Sequence, residues 1–288
     1  MRRPIRTAFA GAALAIALVA GFGGSPASAL PSAGAPSAGA APAAAGSQQI
    51  AVPAYFDPGQ KWDTLTQGAG TVGLAVANPD SGPGQDFDSG YADAIRSAHD
   101  AGVKVLGYVD TGYFGTSGRE TRSGQTSVSA WQTQVEQDVD TWYSLYGGDG
   151  LDGIFFDDAL ADCGSGNAHV QLYIDVKDYV KQHSGAYVVD NPGTGAEQCY
   201  TQAADTLVTF EGSYSDYTAW TPPSWEASAA PSQIWHLVYD ASGQSQLDQA
   251  MSLSKSRNAG YVYVTDDVLD NPWDTLASYW TGELSDAG

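Results

Sequence analysis

Eight short runs rich in Val, Tyr and Ile, separated by loops and helical patterns, constrain this chain more than any other feature. They begin near Ile50, Thr71, Val103, Asp152, Ala186, Thr206, Gln233 and Gly260. Apolar residues at helical spacing lie between several of them, at Tyr91 to Ala101, Ser129 to Tyr146, Ala168 to Gln182 and Gln244 to Arg257, and at Trp273 to Trp280 after the last. The segments after the first, fifth and sixth runs carry weaker helical signals, and Tyr214 to Glu226, interrupted by Pro222-Pro223, reads as loop. Strands alternating with helices imply a mainly parallel sheet, and eight units imply closure into a single-domain α/β fold, a (β/α)8 TIM barrel. Helices ending at a Gly before the next strand, as at Gly102 and Gly260, fit the same plan. A doubly wound open sheet is the rival, but no GxGxxG turn leads from the first strand into a helix, no GxxxxGK[ST] loop is present, and no cofactor is called for.

The ends of the chain set its context. Residues 1–29 read as a secretory signal: Arg2, Arg3 and Arg6 precede an apolar run from Ala8 to Ala20, and Ala27-Ser28-Ala29 fits a cleavage site. Residues 30–47, almost wholly Ala, Pro, Gly and Ser, read as a disordered tether, which leaves 48–288 for the barrel. The expected location is extracellular, with no later run long enough to span a bilayer. In an exported chain the two cysteines, Cys163 and Cys199, are expected to form one disulfide joining the loops after the fourth and fifth strands. No metal site is expected, because the four histidines are scattered: His99, His169 and His183 in helical patterns, His236 in a strand. Net charge is −21, or −24 without the three leading arginines. That balance disfavours nucleic acid and anionic lipid, and suits neutral or cationic partners of a monomer.

In such a barrel the C-terminal strand tips carry the chemistry. The fourth strand, Asp152-Gly-Ile-Phe-Phe-Asp157-Asp158, ends in two carboxylates, and the sixth, Thr206-Leu-Val-Thr-Phe-Glu211-Gly212, ends in one. Alternation places Gly153, Phe155 and Asp157 toward the axis and Asp158 outward or into the loop; on the sixth strand it places Thr209 and Glu211 inward, Val208 and Phe210 outward. Capping a loop is the ordinary use of a lone terminal Asp. Two strands of the same form favour a shared mouth instead. Tyr108 and Asp110 at the third exit, Asn78 and Asn191 before prolines at the second and fifth, Tyr239 at the seventh and Thr265 at the eighth are further candidates for contact with ligand. Two acids facing a cleft rich in aromatics describe glycoside hydrolysis: one protonates the leaving oxygen while the other attacks or activates water. No GxSxG elbow supports a serine nucleophile.

Taken together, Val52-Pro53-Ala54-Tyr55, Gly107-Tyr108-Val109, Gly153-Ile-Phe-Phe-Asp157-Asp158, Asn191-Pro192-Gly193 and Phe210-Glu211-Gly212 resemble the spherulin 4 family, glycoside hydrolase family 135. The resemblance implies a (β/α)8 barrel and a secreted endo-acting hydrolase of α-1,4-linked N-acetylgalactosamine stretches in galactosaminogalactan. It also implies catalytic carboxylates at Asp157, Asp158 and Glu211, with Tyr55 at the first strand tip beside them. The chain departs from the family at Asp158, where a Glu is usual. Asp157 is then expected as nucleophile or charge stabiliser, Glu211 as general acid/base with retention, and Asp158 as a residue that holds substrate or tunes its neighbour. The alternative is a carbohydrate-binding barrel that has lost the chemistry. Partly deacetylated, cationic galactosamine polymer is an equally suitable partner for so acidic a surface.

Overall fold

The computed structural model describes residues 48–287, so the signal and tether expected over 1–29 and 30–47 lie outside the described residues. Eight parallel strands close in chain order: β1 (Gln49–Ala54), β2 (Val72–Ala77), β3 (Lys104–Asp110), β4 (Leu151–Asp157), β5 (Tyr187–Asp190), β6 (Thr206–Ser213), β7 (Ile234–Tyr239) and β8 (Tyr261–Val264). Around them run α1 (Gln60–Gln67), α2 (Ser89–Asp100), α3 (Val128–Tyr146), α4 (Ala168–Val180), α5 (Tyr214–Ala219), α6 (Gln244–Ser256) and α7 (Trp280–Ala287). This is the (β/α)8 barrel that the alternation predicts, except that a 3-10 turn at Gln198–Gln202 replaces the helix after β5. Among the described residues no helix is long and apolar enough to cross a membrane.

Local chemistry accounts for the helices. The Asp88 side chain caps α2 by accepting from Gly90 N at 2.8 Å, and Tyr91, Ala92, Ile95 and Ala98 form its buried stripe. Gly102, at φ +95°, then turns the chain into β3. Gly107, on β3 itself, matters for packing. An added Cβ there would stand 2.4 Å from the Trp142 ring, so only glycine lets α3 lie this close to the sheet.

Two helix expectations fail: Tyr214–Ala219, inside the segment read as loop, forms the short α5, and the segment before α7 is not helical. Trp273 to Trp280 does not form a helix; α7 begins only at Trp280. Pro272 cannot supply an amide, Asn271 Oδ1 accepts from Trp273 N at 3.2 Å in a local turn, and Trp273 O accepts from Tyr55 N. The backbone that a helix needs is already bonded elsewhere.

Contacts between non-neighbouring strands identify the barrel interior. Phe155 of β4 meets Trp235 of β7 edge-on at 5.7 Å, and Tyr108 of β3 meets Tyr55 just past β1 at 5.5 Å. Phe155 and Asp157 therefore face inward as alternation predicts. On β6 the expectation needs correction. Val208 pairs with inward Trp235 while Phe210 pairs with His236, leaving Thr209 as an extra residue. Val208 therefore faces in, Thr209 is displaced outward, and Glu211 regains the inward side.

The disulfide forms between Cys163 and Cys199, with Cα atoms 6.1 Å apart. Cys163 N also donates to Glu197 Oε2 at 2.8 Å, and Glu197 N to Ala161 O at 2.8 Å, so covalent and hydrogen bonds join the same two loops.

Candidate active site

Four of the expected residues meet at the C-terminal mouth: Asp157, Glu211, Asn191 and Tyr108. Asn191 accepts from Gly193 N through Oδ1 at 2.9 Å, and this bond turns its Nδ2 toward the carboxylates. That one nitrogen donates to Asp157 Oδ1 at 2.8 Å and to Glu211 Oε2 at 2.7 Å. The two acid oxygens are therefore at most about 5.5 Å apart, the sum of the two bonds. Tyr108 adds a hydroxyl to Asp157. Trp273, absent from the sequence-derived site, donates Nε1 to Glu211 Oε1 at 3.3 Å.

Burial acts on both acids. It pushes Asp157 up to about 7, against the Tyr108 and Asn191 hydrogen bonds and Arg119; Asp110 adds to the rise. Burial, and then the charge of Asp157, push Glu211 up to about 7, opposed by Asn191 and Trp273. Two acids this close titrate as a pair. Asp157 has Tyr108 and Arg119 to support its charge, whereas Glu211 has only the long Trp273 bond beyond the shared amide. The first charge therefore settles on Asp157 and the remaining proton on Glu211.

Asp158 points elsewhere. At φ 51° it turns away from Asp157 and pairs with Arg119, whose other nitrogen holds Asp110 Oδ2 at 2.8 Å. Thr111 joins the same two loops: its amide and hydroxyl bond Asp157 O, and its hydroxyl also bonds Asp158 O. Tyr113 and Phe114 follow at φ 54° and 48°, a left-handed pair rare for such side chains. The strain keeps half-exposed Tyr113 beside the acids, where the charges of Asp157, Asp110 and Glu211 all reach it. Tyr55 senses both Asp157 and Glu211, and Tyr239 reaches Glu211 from the other side, edge-on to Trp273 at 6.3 Å.

Two expected ligand contacts serve their own loops. Asn78 Oδ1 accepts from Gly82 N at 2.9 Å, and fully buried Thr265 accepts from Asp267 N at 3.1 Å. Beyond Asp110 a groove of about 750 Å³ opens between residues 80–85 and α3, with Glu120, Asp138 and Asp140 in its wall. Arg122 neutralises Asp138 there through two bonds of 2.6 and 2.7 Å.

A pH dependence of stability follows from the buried acids. Besides the mouth pair, burial holds Asp190 and Glu283 well above the ordinary carboxylate range. An acid whose pKa is raised by folding binds more protons in the folded state, so stability declines as pH rises from about 4 through the folded value. Thermal unfolding is thus expected at a higher temperature at pH 5 than at pH 8. A midpoint that climbs over this interval would contradict the assignment.

Known proteins share this barrel. The Physarum polycephalum protein Spherulin-4 is 32% identical over 254 residues, covering 82% of this chain and 69% of its own. Aspergillus clavatus Sph3, solved in complex with GalNAc, superposes with a TM-score of 0.67 at 23% identity, covering 84% of this chain and 97% of that one. A chitinase from Chromobacterium violaceum shares the fold at a TM-score of 0.52 and 12% identity, over 83% and 98% of the two chains. Residues 49–286 match the spherulation-specific family 4, and with nearly the whole barrel covered, the chain belongs to that family.

Proposed function

We propose that this protein is an exported glycoside hydrolase that cuts amino-sugar polysaccharide internally, at α-1,4-linked N-acetylgalactosamine or galactosamine units, with retention of configuration. The observation that carries the reading is the single Asn191 nitrogen bonded to both Asp157 and Glu211. It brings one oxygen of each acid within about 5.5 Å of the other, which favours the separation of about 5–5.5 Å typical of retaining enzymes over the roughly 6.5–9.5 Å that admits a water in inverting pairs. Family membership and the GalNAc bound to Aspergillus clavatus Sph3 support the sugar class. The leader-like start and the disulfide support export.

Asp157 attacks the anomeric carbon as Glu211 gives its proton to the leaving oxygen. Glu211, now charged, then takes a proton from the water that releases the sugar. Asn191 steadies whichever acid is charged at each stage, so its bonds persist while the charge moves. Asp158, held by Arg119, keeps the loop that presents Asp157. Tyr55, Tyr113, Tyr239 and Trp273 supply aromatic walls for sugar rings. The acidic groove beyond Asp110 gives a polymer room to continue and favours cationic, deacetylated units.

Release of reducing ends from purified galactosaminogalactan tests the reading, and retention of polymer without shortening would replace it with carbohydrate binding. Asn191→Ala is expected to lower kcat by about 10²-fold, the scale of one preorganised donor lost. An unchanged kcat would remove Asn191 from the mechanism. Equal salt dependence on acetylated and deacetylated polymer would remove the preference for cationic units.

A further inference from the structure

Glu211 faces the mouth because Thr209, two places before it, is bulged out of the strand ladder. Val208 is fixed inward by its pairing with Trp235, and a regular strand continuing from it would turn Phe210 in and Glu211 out. The extra residue, Thr209, reverses this. Phe210 consequently packs outside the barrel, 4.8 Å from Tyr217 and 4.9 Å from Trp220.

Behind the bulge lies a polar cluster that the proposed reaction does not touch. Thr209, Glu226 and His236 are all completely buried. His236 Nδ1 is 2.8 Å from the Tyr217 hydroxyl, and its Nε2 is 3.8 Å from Glu226 Oε2. Thr209 is close enough to favour the charged form of Glu226, yet its hydroxyl, both Glu226 oxygens and His236 Nε2 lack a direct hydrogen bond within the protein. Burial drives His236 down to about 3 and Glu226 up to about 7, so attraction between full charges does not hold the cluster together. Buried polar groups in this state are costly, and an apolar trio of similar shape would pack without that cost. Stability alone therefore does not account for them. Their place against the one irregular residue of β6 does.

We propose that Thr209, Glu226 and His236 are positioning residues for Glu211. By drawing the Thr209 hydroxyl outward they lock the bulge, and the bulge holds the Glu211 carboxyl against Asn191. The proposal rests on Glu211 acting as the acid/base, and its test separates the two ideas.

Thr209→Val and Glu226→Leu are expected to lower kcat at least tenfold with KM changed less than about threefold, and to shift the pH profile of kcat as Glu211 moves. Glu226→Gln, which keeps shape and polarity beside the Thr209 hydroxyl, is expected to restore most of the rate. Equal kcat and an unshifted profile in folded Thr209→Val and Glu226→Leu, with only a lower melting temperature, would overturn the proposal. The crystal structure of either apolar variant reads position without relying on activity. Glu211 displaced from Asn191 supports the proposal even if Glu211→Gln shows that another group is the acid. Glu211 still bonded to Asn191 overturns it.

Discussion

Asp157→Asn and Glu211→Gln are each expected to lower kcat on galactosaminogalactan by at least about 10³-fold, or roughly 4 kcal/mol of barrier at about 1.4 kcal/mol per factor of ten. Neither amide can attack the anomeric carbon or exchange the required proton, yet each keeps the carboxylate's shape and its bond-accepting oxygen. The fold should gain. Burial raises both acids, so charging them above neutral pH works against folding, and the amides remove that cost. After discounting for their partial exposure, the gain at pH 8 is on the order of 1 kcal/mol, or about 2–4 °C in Tm for a domain of this size. It should vanish near pH 4, where both acids are protonated folded and largely so unfolded. Inactive variants that melt higher than the parent at pH 8 would show a site strained for chemistry rather than stability. Residual turnover within tenfold of the parent would refute the catalytic roles.

Loss of the disulfide is expected to be the second large effect. Cys163 and Cys199 are 36 residues apart, and on the chain-entropy account closing a loop of that length contributes about 4 kcal/mol. Cys163→Ser with Cys199→Ser should therefore lower the unfolding free energy by roughly that amount. The bonds that Glu197 makes with Cys163 N and Ala161 O remain to shape the loops. Since Asn191 lies on the tethered segment, kcat should fall as well, though less than on removing an acid. Denaturant unfolding with and without reductant reads the first effect directly. A midpoint indifferent to reductant would mean that the hydrogen bonds alone suffice.

Much of this architecture was legible because barrel strands are buried on both faces and read as unbroken apolar runs. All eight begin within two residues of where those runs suggest. Asp157 and Glu211 were legible because each follows such a run directly, Asp157 at the last residue of β4 and Glu211 two residues before the end of β6. Residues carried by loops were not. Trp273 reaches Glu211 from a turn set by Asn271-Pro272, where aromatic spacing imitates a helix, and the Asn-Pro pair was the overlooked signal. Arg119 and Tyr113 belong to a loop whose path depends on Thr111 and on left-handed backbone that no local pattern reveals. Asn78 and Thr265 had the right position and the wrong partner, since nearby backbone amides already use their oxygens. On β6 simple alternation gave the correct side for Glu211 and the wrong one for Val208, because a bulge is invisible to a period of two.

The unpaired residue in β6 has a consequence for how barrels of this kind diverge. Deleting Thr209 would let Phe210 follow Val208 directly in the register that already pairs Val208 with Trp235 and Phe210 with His236, so Glu211 would stay at the mouth. Loss of one codon at this point removes the outward hydroxyl and spares the acid pair, so β6 tolerates here a change in length that at a regular position of a barrel strand would turn the following side chains over.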